Sequence, residues 1–405
     1  MAQLSDDCFA FGGALMPLAH ALTLIAAVPP VDGTEMVPLL AADGRVLAAD
    51  LVAGVDLPPF CNSAVDGYAV RHGGAAVRPL DGRTPAGAVA APLQPGTARR
   101  ILTGAPLPDG ADTVFMQEDV QVADGMVHLP PGLACGANVR PAGEDVAAGA
   151  VVLPAGRRLR PQDLSLAAAL GIDTLMVRRR VRVALLSTGD ELVDGGTVPG
   201  AAQRYDSNRV LIAALLARAG AVVTDLGIVA DDPAAVRAAL LAGAGHDLVL
   251  TTGGVSAGEE DHVRTAVEGA GRLTFWRLGI KPGRPVAMGQ VGGAVFMGLP
   301  GNPAAAYVTF VVLARPLLDA LAGAAPAPVF SIRAVAAFAY RKKADRREFV
   351  RVRLTQMDGL LQAHRHPVEG AGILTSLTET DGLAVLDEDR RTVAAGDLLN
   401  VLPYV

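Results

Sequence analysis

The pattern of apolar and polar positions is clearest in the middle of the chain. Three apolar runs, Val181–Ser187, Val222–Val229 and Asp247–Thr252, are typical of buried strands. Amphipathic segments over Arg209–Ala219 and Pro233–Leu241 separate these runs and predict two helices. Strands that alternate with helices in this order predict a parallel sheet with helices on both faces.

The regions on either side of this segment carry strand patterns. Between residues 54 and 147, proline, glycine and aspartate interrupt short apolar runs every few residues, which predicts a small β domain. Residues 329–405 alternate in the manner of strands and contain the turn signals Asp358-Gly359 and Asp381-Gly382. This pattern favours a β-barrel or a sandwich, and we expect the barrel.

The remaining segments predict a connecting domain built from two separate parts of the chain. Residues 15–28 have helical spacing, and a β segment at Ala150–Pro154 is followed by a helix after Pro161. The predicted fold is therefore multidomain α/β plus β. Its expected domains are the connecting domain (1–53 and 148–180), the β-rich domain (54–147), the central α/β domain (181–327) and the C-terminal β-barrel (328–405).

Composition and charge narrow the class of protein. Hydrophobic residues make up 51% of the 405 residues, and the net charge of −6 gives no support for a nucleic-acid-binding surface. Cys8, Cys61 and Cys135 have the spacing of neither a zinc site nor a disulfide framework. The N-terminal residues lack the positive charge of a secretory signal, and the apolar run Ala304–Ala314 is too short to span a bilayer. We therefore expect a cytoplasmic protein that binds neither nucleic acid nor membrane.

Polar, glycine-rich turns follow the three predicted strands of the α/β domain. Ligands of open α/β sheets bind beyond the carboxyl ends of the strands. Glu191, Asp231 and Asp261 place one carboxylate in each turn, and together they suit a Mg²⁺ ion that also contacts phosphate oxygens. Gly253 and Gly254 allow backbone N–H groups to approach a phosphate closely. Because aspartate and glycine are also common in loops and at helix caps, each turn alone is better explained by a structural role. Three such turns at successive strand ends make a ligand site and a structural role about equally good explanations.

Two further turns carry cations and prolines. Only three of the 35 basic residues are lysines, and one of them, Lys281, lies close to Arg284 in the proline-stiffened loop Ile280–Pro285. A compact ammonium beside a guanidinium suits a small oxyanion. The second turn, Gly298–Pro303, leads into an apolar helix whose N-terminal dipole favours negative charge. Solvated cations and an ordinary Pro-Gly turn are the structural alternatives.

Taken in order, these motifs resemble those of the molybdopterin molybdenumtransferase family. The matching segments are STGDEL, YDSN, DDP, TTGGVSAGEED, IKPGRP and GLPGNP. The resemblance extends into the N-terminal half through Leu57–Val70, Leu102–Pro106 and Pro141–Asp145. It therefore covers essentially the whole chain.

The resemblance implies an elongated homodimer with four domains per chain. Members of the family bind adenylylated molybdopterin, hydrolyse its phosphoanhydride with Mg²⁺, release AMP and place molybdate on the dithiolene. The implied catalytic residues are Asp66, Thr103, Glu191, Asp231 and Asp261, of which the last three are also the implied Mg²⁺ ligands. The implied substrate-binding residues are Gly253, Gly254, Ser256, Lys281, Arg284, Pro300, Pro303 and Arg351. A transient contact with the adenylyltransferase of the preceding step is a further implied partner.

Within such a dimer, Asp66 is expected to serve the active site of the other subunit. The alternative is that Asp66-Gly67 is only a turn of the β-rich domain. Four positions depart from the family pattern: Cys61 stands in place of aspartate, Arg277 in place of lysine, and Ala305 and Ala371 in place of hydroxyl residues. The sequence leaves open whether these changes alter activity or the choice between molybdate and tungstate.

Three other functions compete with this interpretation. A molybdopterin adenylyltransferase or a nucleotide pyrophosphatase would share the α/β domain, although the long N-terminal β region and Asn62–Tyr68 count against both. A non-catalytic scaffold or paralogue is the third alternative, and no linker or additional domain in the sequence supports it.

Overall fold

The computed structural model describes residues 15–254, 267 and 271–404. The chain divides into two compact units. The first comprises Met36–Asp43 and Leu47–Met176. The second comprises the N-terminal residues through Glu35, together with Gly44–Val46 and Val177–Val405.

A six-stranded sheet dominates the first unit. In spatial order its strands are Thr113–Met116, Gly67–Val70, Ala98–Ile101, Val77–Thr84, Met126–His128 and Gln121–Ala123. Val70 and Phe115 belong to one buried cluster, and their strand neighbours Ala69 and Val114 belong to another. Successive side chains of a strand point to opposite faces, so both faces of this sheet are covered. The sheet confirms the predicted small β domain.

The first unit also contains short strand pairs and one helix. Asn62–Ser63 pairs with Val139–Arg140, and Leu51–Val52 pairs with Val151–Leu153, both antiparallel. The helix Pro161–Ala169 begins with proline, which suits the first helical position because the missing N–H has no partner there anyway. Short 3₁₀ turns lie at Leu39–Ala42 and Gln117–Asp119.

The second unit is built around another six-stranded sheet. Its first four strands are parallel and lie in the order Val222–Val229, Arg182–Thr188, Leu248–Thr252 and Ala294–Leu299. The helices Ser207–Arg218 and Pro233–Gly243 connect the first three strands along the chain, as the sequence predicts. Asp206 and Asp232 cap these two helices by accepting hydrogen bonds from backbone N–H groups of the first turn.

Two antiparallel strands extend this sheet, so the sheet is mixed rather than wholly parallel. Pro285–Val291 pairs antiparallel with Ala294–Leu299, and Gly271–Arg277 pairs antiparallel with Pro285–Val291. Only Gly292 and Gly293 separate the first pair, and a two-residue hairpin forces its strands to run in opposite directions.

The two faces of the mixed sheet contact different helices. Val183 and Leu185 pack in one cluster with Ile212 of the helix Ser207–Arg218. Ala184 and Leu186 pack in a second cluster with Leu240 of the helix Pro233–Gly243. The helix Leu18–Ala26, shorter than the expected segment 15–28, buries Leu18, Ala21 and Ile25 in the first cluster.

The helical run Pro303–Leu321 forms part of the same core. It consists of the α-helix Pro303–Thr309, the π-helical turn Phe310–Ala314 and the α-helix Arg315–Leu321. Pro316 has no backbone N–H to donate, which accounts for the wider turn preceding it. By length and composition the run would be able to cross a membrane, but 72% of its most apolar window is buried inside the protein. It is therefore a core helix of this unit.

The C-terminal strands of the second unit form a closed barrel, as predicted. In order around the barrel they are Arg347–Met357, Leu360–Arg365, Ile332–Ala336, Leu398–Pro403 and Gly382–Leu386, and the last strand pairs again with the first. The short strand Ile280–Lys281 pairs in parallel with Arg347 and Glu348. This pairing attaches the lysine-bearing loop to the barrel.

The remaining elements are short. They are the strands Thr34–Pro38, Thr174–Arg178, Leu192–Val193, Arg204–Tyr205, Tyr340–Arg341 and Thr392–Val393, and the helix Thr375–Thr378.

Candidate functional site

A cleft of about 980 Å³ in the second unit lies at the carboxyl ends of the four parallel strands. Gly189, Asp231, Gly253 and Pro300 each follow one of these strands within two residues, and all four line the cleft. The site therefore occupies the edge of the sheet that the sequence predicts.

Two carboxylates line the end of the cleft formed by the strand-end turns. Glu191 accepts a hydrogen bond from Arg204 at 2.7 Å. The backbone N–H of Asp231 donates to Oδ1 of Asp190 at 3.0 Å, and that of Asp190 donates to Oδ2 of Asp231 at 3.3 Å. These reciprocal hydrogen bonds hold the first two turns together.

Gly253 lies where no side chain fits. Its φ is +90°, and a Cβ at this position would lie 2.9 Å from the carbonyl oxygen of Thr188. Thr188 is buried, and its Oγ1 has no hydrogen-bond partner among the residues that the structure describes. The turn thus places a backbone without a side chain beside a buried oxygen atom that lacks a partner within the described part of the chain.

The loop of Lys281 and Arg284 is fixed against the helix Pro303–Thr309. Gly283 has φ +102°, and a Cβ there would lie 2.4 Å from Oγ1 of Thr309. The backbone of Leu278 donates to the carbonyl of Arg284 at 2.9 Å. Lys281 and Arg284 are therefore held at the cleft by a closely packed loop backbone.

A hydrogen-bonded network joins Lys281 to the barrel. Its Nζ donates to the hydroxyl of Tyr340 at 3.0 Å, and that hydroxyl donates to Oε2 of Glu348 at 2.7 Å. Arg346 forms an ion pair with Oε1 of Glu348 at 2.6 Å. Burial alone would lower the pKa of Lys281, but the hydrogen bond with Tyr340 and the charge of Glu348 outweigh it and raise the pKa above its ordinary value.

Arg351 lies on the first barrel strand and is 8% exposed. One guanidinium nitrogen, Nη2, donates to the carbonyl of Gly370 at 3.0 Å, while Nε has no hydrogen-bond partner within the described part of the chain. Burial lowers the pKa of this group below its ordinary value. A buried cation with an unpaired donor at the wall of a cleft is suited to an anionic ligand.

Asp66 and Thr103 form a separate pair in the first unit. Oδ1 of Asp66 accepts hydrogen bonds from the backbone N–H of Thr103 at 2.7 Å and from its hydroxyl at 2.8 Å. These hydrogen bonds hold the pKa of Asp66 below its ordinary value. The carboxylate is therefore ionised and fixed in direction.

The structure brings most of the predicted site residues together. Glu191, Asp231, Gly253, Gly254, Lys281, Arg284, Pro300 and Arg351 all line the cleft. Pro303 does not line it and is instead the first residue of a helix. Asp261 and Ser256 lie outside the described residues, and Asp66 and Thr103 belong to the other unit.

Several residues that line the cleft were not predicted from the sequence. The most important are Tyr340, Arg346, Glu348 and Arg365, all of which come from the C-terminal barrel region. They belong to a region of alternating apolar and polar strand positions, and this region contains no local sequence motif that would have indicated a site. Of the positions that depart from the family pattern, Ala305 and Ala371 line the cleft, whereas Cys61 is an exposed residue of the first unit.

Comparison with known protein families identifies three regions of the chain. Residues 16–171 match the MoeA N-terminal region (domains I and II), residues 184–320 match a probable molybdopterin-binding domain, and residues 333–404 match the MoeA C-terminal region (domain IV).

Individual relatives cover nearly the whole chain. A molybdopterin molybdenumtransferase of Haemophilus influenzae is 36% identical over 94% of this chain and 96% of its own. Molybdopterin molybdenumtransferase 2 of Mycobacterium tuberculosis is 38% identical over 90% of this chain and 94% of its own. The crystal structure of the molybdopterin biosynthesis MoeA protein of Pyrococcus horikoshii is 29% identical, covers 96% of this chain and 100% of its own, and superposes with a TM-score of 0.82.

Proposed function

The chain belongs to the MoeA family of transferases of molybdenum cofactor biosynthesis, and from this premise we propose that it inserts molybdenum from molybdate into adenylylated molybdopterin. In the proposed reaction water cleaves the phosphoanhydride, AMP leaves, and the dithiolene receives molybdenum. We further propose that the protein acts in the cytoplasm as a homodimer.

The observation that carries this proposal is that carboxylates and cations from different elements line the same cleft. Glu191 and Asp231 lie with the glycines on the strand-end turns, which form the acidic end, whereas Lys281 and Arg284 lie on the loop Ile280–Pro285 and Arg351 lies on a barrel strand. The proposed reaction uses two molecules, a substrate with a phosphoanhydride and the tetrahedral dianion molybdate. The first suits metal-binding carboxylates and the second suits cations, so both kinds of group are required in one cleft. A protein with a net charge of −6 must attract a dianion through local cations.

The acidic end fits a Mg²⁺ ion. Glu191, Asp231 and the unpaired hydroxyl oxygen of Thr188 are hard oxygen donors of the kind that Mg²⁺ prefers. Across residues 15–254, 267 and 271–404, no cluster of three or more His, Cys, Asp or Glu side chains has the arrangement of a metal site, so phosphate oxygens of the substrate would complete the coordination. When bound, the ion would neutralise charge on the phosphoanhydride.

The protein's own groups position the substrate around that ion. The backbone N–H of Gly253 donates to the carbonyl of Leu299 at 3.1 Å, so of these two glycines Gly254 would offer its N–H to a phosphate oxygen. Gly253 contributes by having no side chain that would block the approach. Lys281, Arg284 and Arg351, on the loop and the barrel strand, hold molybdate. We expect Lys281→Ala to raise the molybdate concentration needed for insertion more than it weakens binding of the nucleotide substrate.

We propose that the Asp66–Thr103 pair completes the cleft of the partner subunit. The two hydrogen bonds from Thr103 keep Asp66 ionised and oriented although it is partly exposed to solvent. A partly exposed carboxylate held in this way is suited to a substrate or to a metal that another surface presents. In a two-fold dimer both sites would then be composite.

A mixed dimer tests this arrangement. Asp66→Ala chains and Glu191→Ala chains are unfolded and reassembled together, with the separate variants as controls. If Asp66 acts in the partner's site, each heterodimer has one intact site, and random pairing restores about 25% of all sites. If verified heterodimers are as inactive as the separate variants, Asp66 does not act across the interface.

The reaction itself is tested with purified protein, adenylylated molybdopterin, Mg²⁺ and molybdate, by measuring AMP with and without molybdate. Release of AMP that molybdate stimulates supports insertion. Release of AMP that does not depend on molybdate indicates a nucleotide pyrophosphatase. Formation of pyrophosphate from ATP and molybdopterin indicates the adenylyltransferase. An inert protein indicates a scaffold or paralogue.

A further inference from the structure

We propose that Tyr340 and Glu348 are positioning residues of the oxyanion end of the cleft, which hold the ammonium group of Lys281 charged and in place. The inference rests on the proposed function insofar as the oxyanion is molybdate. It adds to that function two residues whose role is to orient the cations rather than to contact the substrate.

Glu348 is the buried acid at the centre of this arrangement. Its side chain is 1% exposed, and it receives the Tyr340 hydroxyl on Oε2 and Arg346 on Oε1. Nζ of Lys281 lies 3.4 Å from Oε2. A buried carboxylate requires paired cations, so the ion pairs with Glu348 hold Lys281 and Arg346 next to each other on the cleft wall.

Tyr340 links Lys281 to Glu348 through hydrogen bonds. Its hydroxyl accepts a hydrogen bond from Lys281 and donates one to Glu348, so both of its polar functions are satisfied. Its ring also contacts a second cation, since the Arg365 guanidinium carbon lies 5.4 Å from the ring centroid. One phenol therefore contacts two of the cations that line the cleft, Lys281 through its hydroxyl and Arg365 through its ring.

The lysine has physical reasons to need such support. Its flexible stem gives many positions to the ammonium group, and 43% of its side chain is exposed. Burial also disfavours the charged form of Lys281. The hydrogen bond that Lys281 donates to Tyr340 and the charge of Glu348 oppose both effects, so that the exposed part of the ammonium group remains available to an oxyanion.

The test combines one measurement that does not depend on the reaction with one that does. The first is competitive labelling of lysine amines at pH 9, read by peptide mass spectrometry, because only the uncharged amine reacts. The chain has three lysines, and the exposed Lys343 serves as internal reference. The second is the molybdate concentration that gives half-maximal AMP release.

The variants are Tyr340→Phe, which keeps the ring and removes only the hydroxyl, and Glu348→Gln. If Glu348→Gln fails to fold, Tyr340→Phe alone is sufficient for the test. Tyr404→Phe is the matched control, because it removes a hydroxyl that hydrogen-bonds Thr380 at 2.7 Å and does not line the cleft. We expect Lys281 to label at least about threefold faster relative to Lys343 in the two variants, and the molybdate requirement to rise about tenfold. The control should change neither.

A double-mutant cycle separates positioning from general damage. In the Lys281→Ala background, Tyr340→Phe should raise the molybdate requirement no further, because its effect passes through Lys281. Additive effects, unchanged labelling of Lys281, or faster labelling with an unchanged molybdate requirement would each overturn the inference. If the unmodified protein shows no response to molybdate, the proposed function fails, and the labelling experiment alone decides whether Tyr340 and Glu348 hold Lys281.

Discussion

Arg351 is predicted to be a residue whose removal weakens anion binding without destabilising the free protein. Its guanidinium is buried, and one N–H has no hydrogen-bond partner within the described residues. A buried donor in this state costs about 1–3 kcal/mol of stability. The hydrogen bond to Gly370 offsets part of that cost.

The informative change is Arg351→Met, which keeps an unbranched chain and removes both the charge and the unpaired donor. We expect the free energy of unfolding of the ligand-free protein to rise or to stay within about 1 kcal/mol. Loss of charge-assisted hydrogen bonds worth about 1.5–3 kcal/mol should raise the Kd for molybdate about 10- to 150-fold.

Equilibrium dialysis with molybdate gives the Kd, and urea unfolding with and without molybdate gives the stability. At one hundred times its Kd, molybdate should stabilise the unmodified protein by about 2.7 kcal/mol and the variant by much less. Arg333→Met, at an exposed barrel position outside the cleft, is the matched control. A large loss of stability with an unchanged Kd would refute the reasoning and make Arg351 a structural residue.

Two further predictions concern the carboxylates. Glu191→Gln should lower AMP release about a hundredfold or more while substrate binding survives, since it removes one charge next to the proposed ion and keeps the side-chain size. Glu118→Gln, exposed in the first unit, is its control, and equal loss of binding and turnover would contradict the assignment. Asp247→Asn should destabilise the protein by about 3 kcal/mol at pH 7, because Asp247 is 9% exposed and accepts two hydrogen bonds from Arg179 and one from the backbone of Arg182. Burial alone would raise the pKa of Asp247, but these hydrogen bonds lower it below 3.8, so the stabilisation is present at neutral pH and should be lost as the pH falls below that value. A stability difference that stays constant in acid would show that the charge is not its source.

The pattern of apolar positions was sufficient to predict the first three strands of the α/β sheet and both connecting helices. Val183–Leu186 and Leu248–Leu250 are buried on both faces, and such strands read as continuous apolar runs. The turns after them were predictable as a site because parallel strands place their carboxyl ends at one edge. The antiparallel strands at the opposite side of the sheet were not predicted, because residue burial carries no information on strand direction.

The cation end of the cleft was only partly predictable. Lys281 and Arg284 lie in a short proline-containing loop and could be recognised together. Tyr340 and Glu348 reach Lys281 because Ile280–Lys281 pairs with the first barrel strand, about sixty residues later in the chain. A contact set by pairing between distant strands leaves no local spacing in the sequence.

The central claim is tested most directly by the stoichiometry of a single turnover with excess enzyme. Adenylylated molybdopterin, Mg²⁺ and molybdate are mixed with the protein, and AMP and dithiolene-bound molybdenum are measured in the same sample. The proposed function predicts one molybdenum incorporated for each AMP released, with both products reduced together in Arg351→Met at limiting molybdate. AMP released without incorporated molybdenum would contradict it and would identify the protein as a hydrolase of the nucleotide.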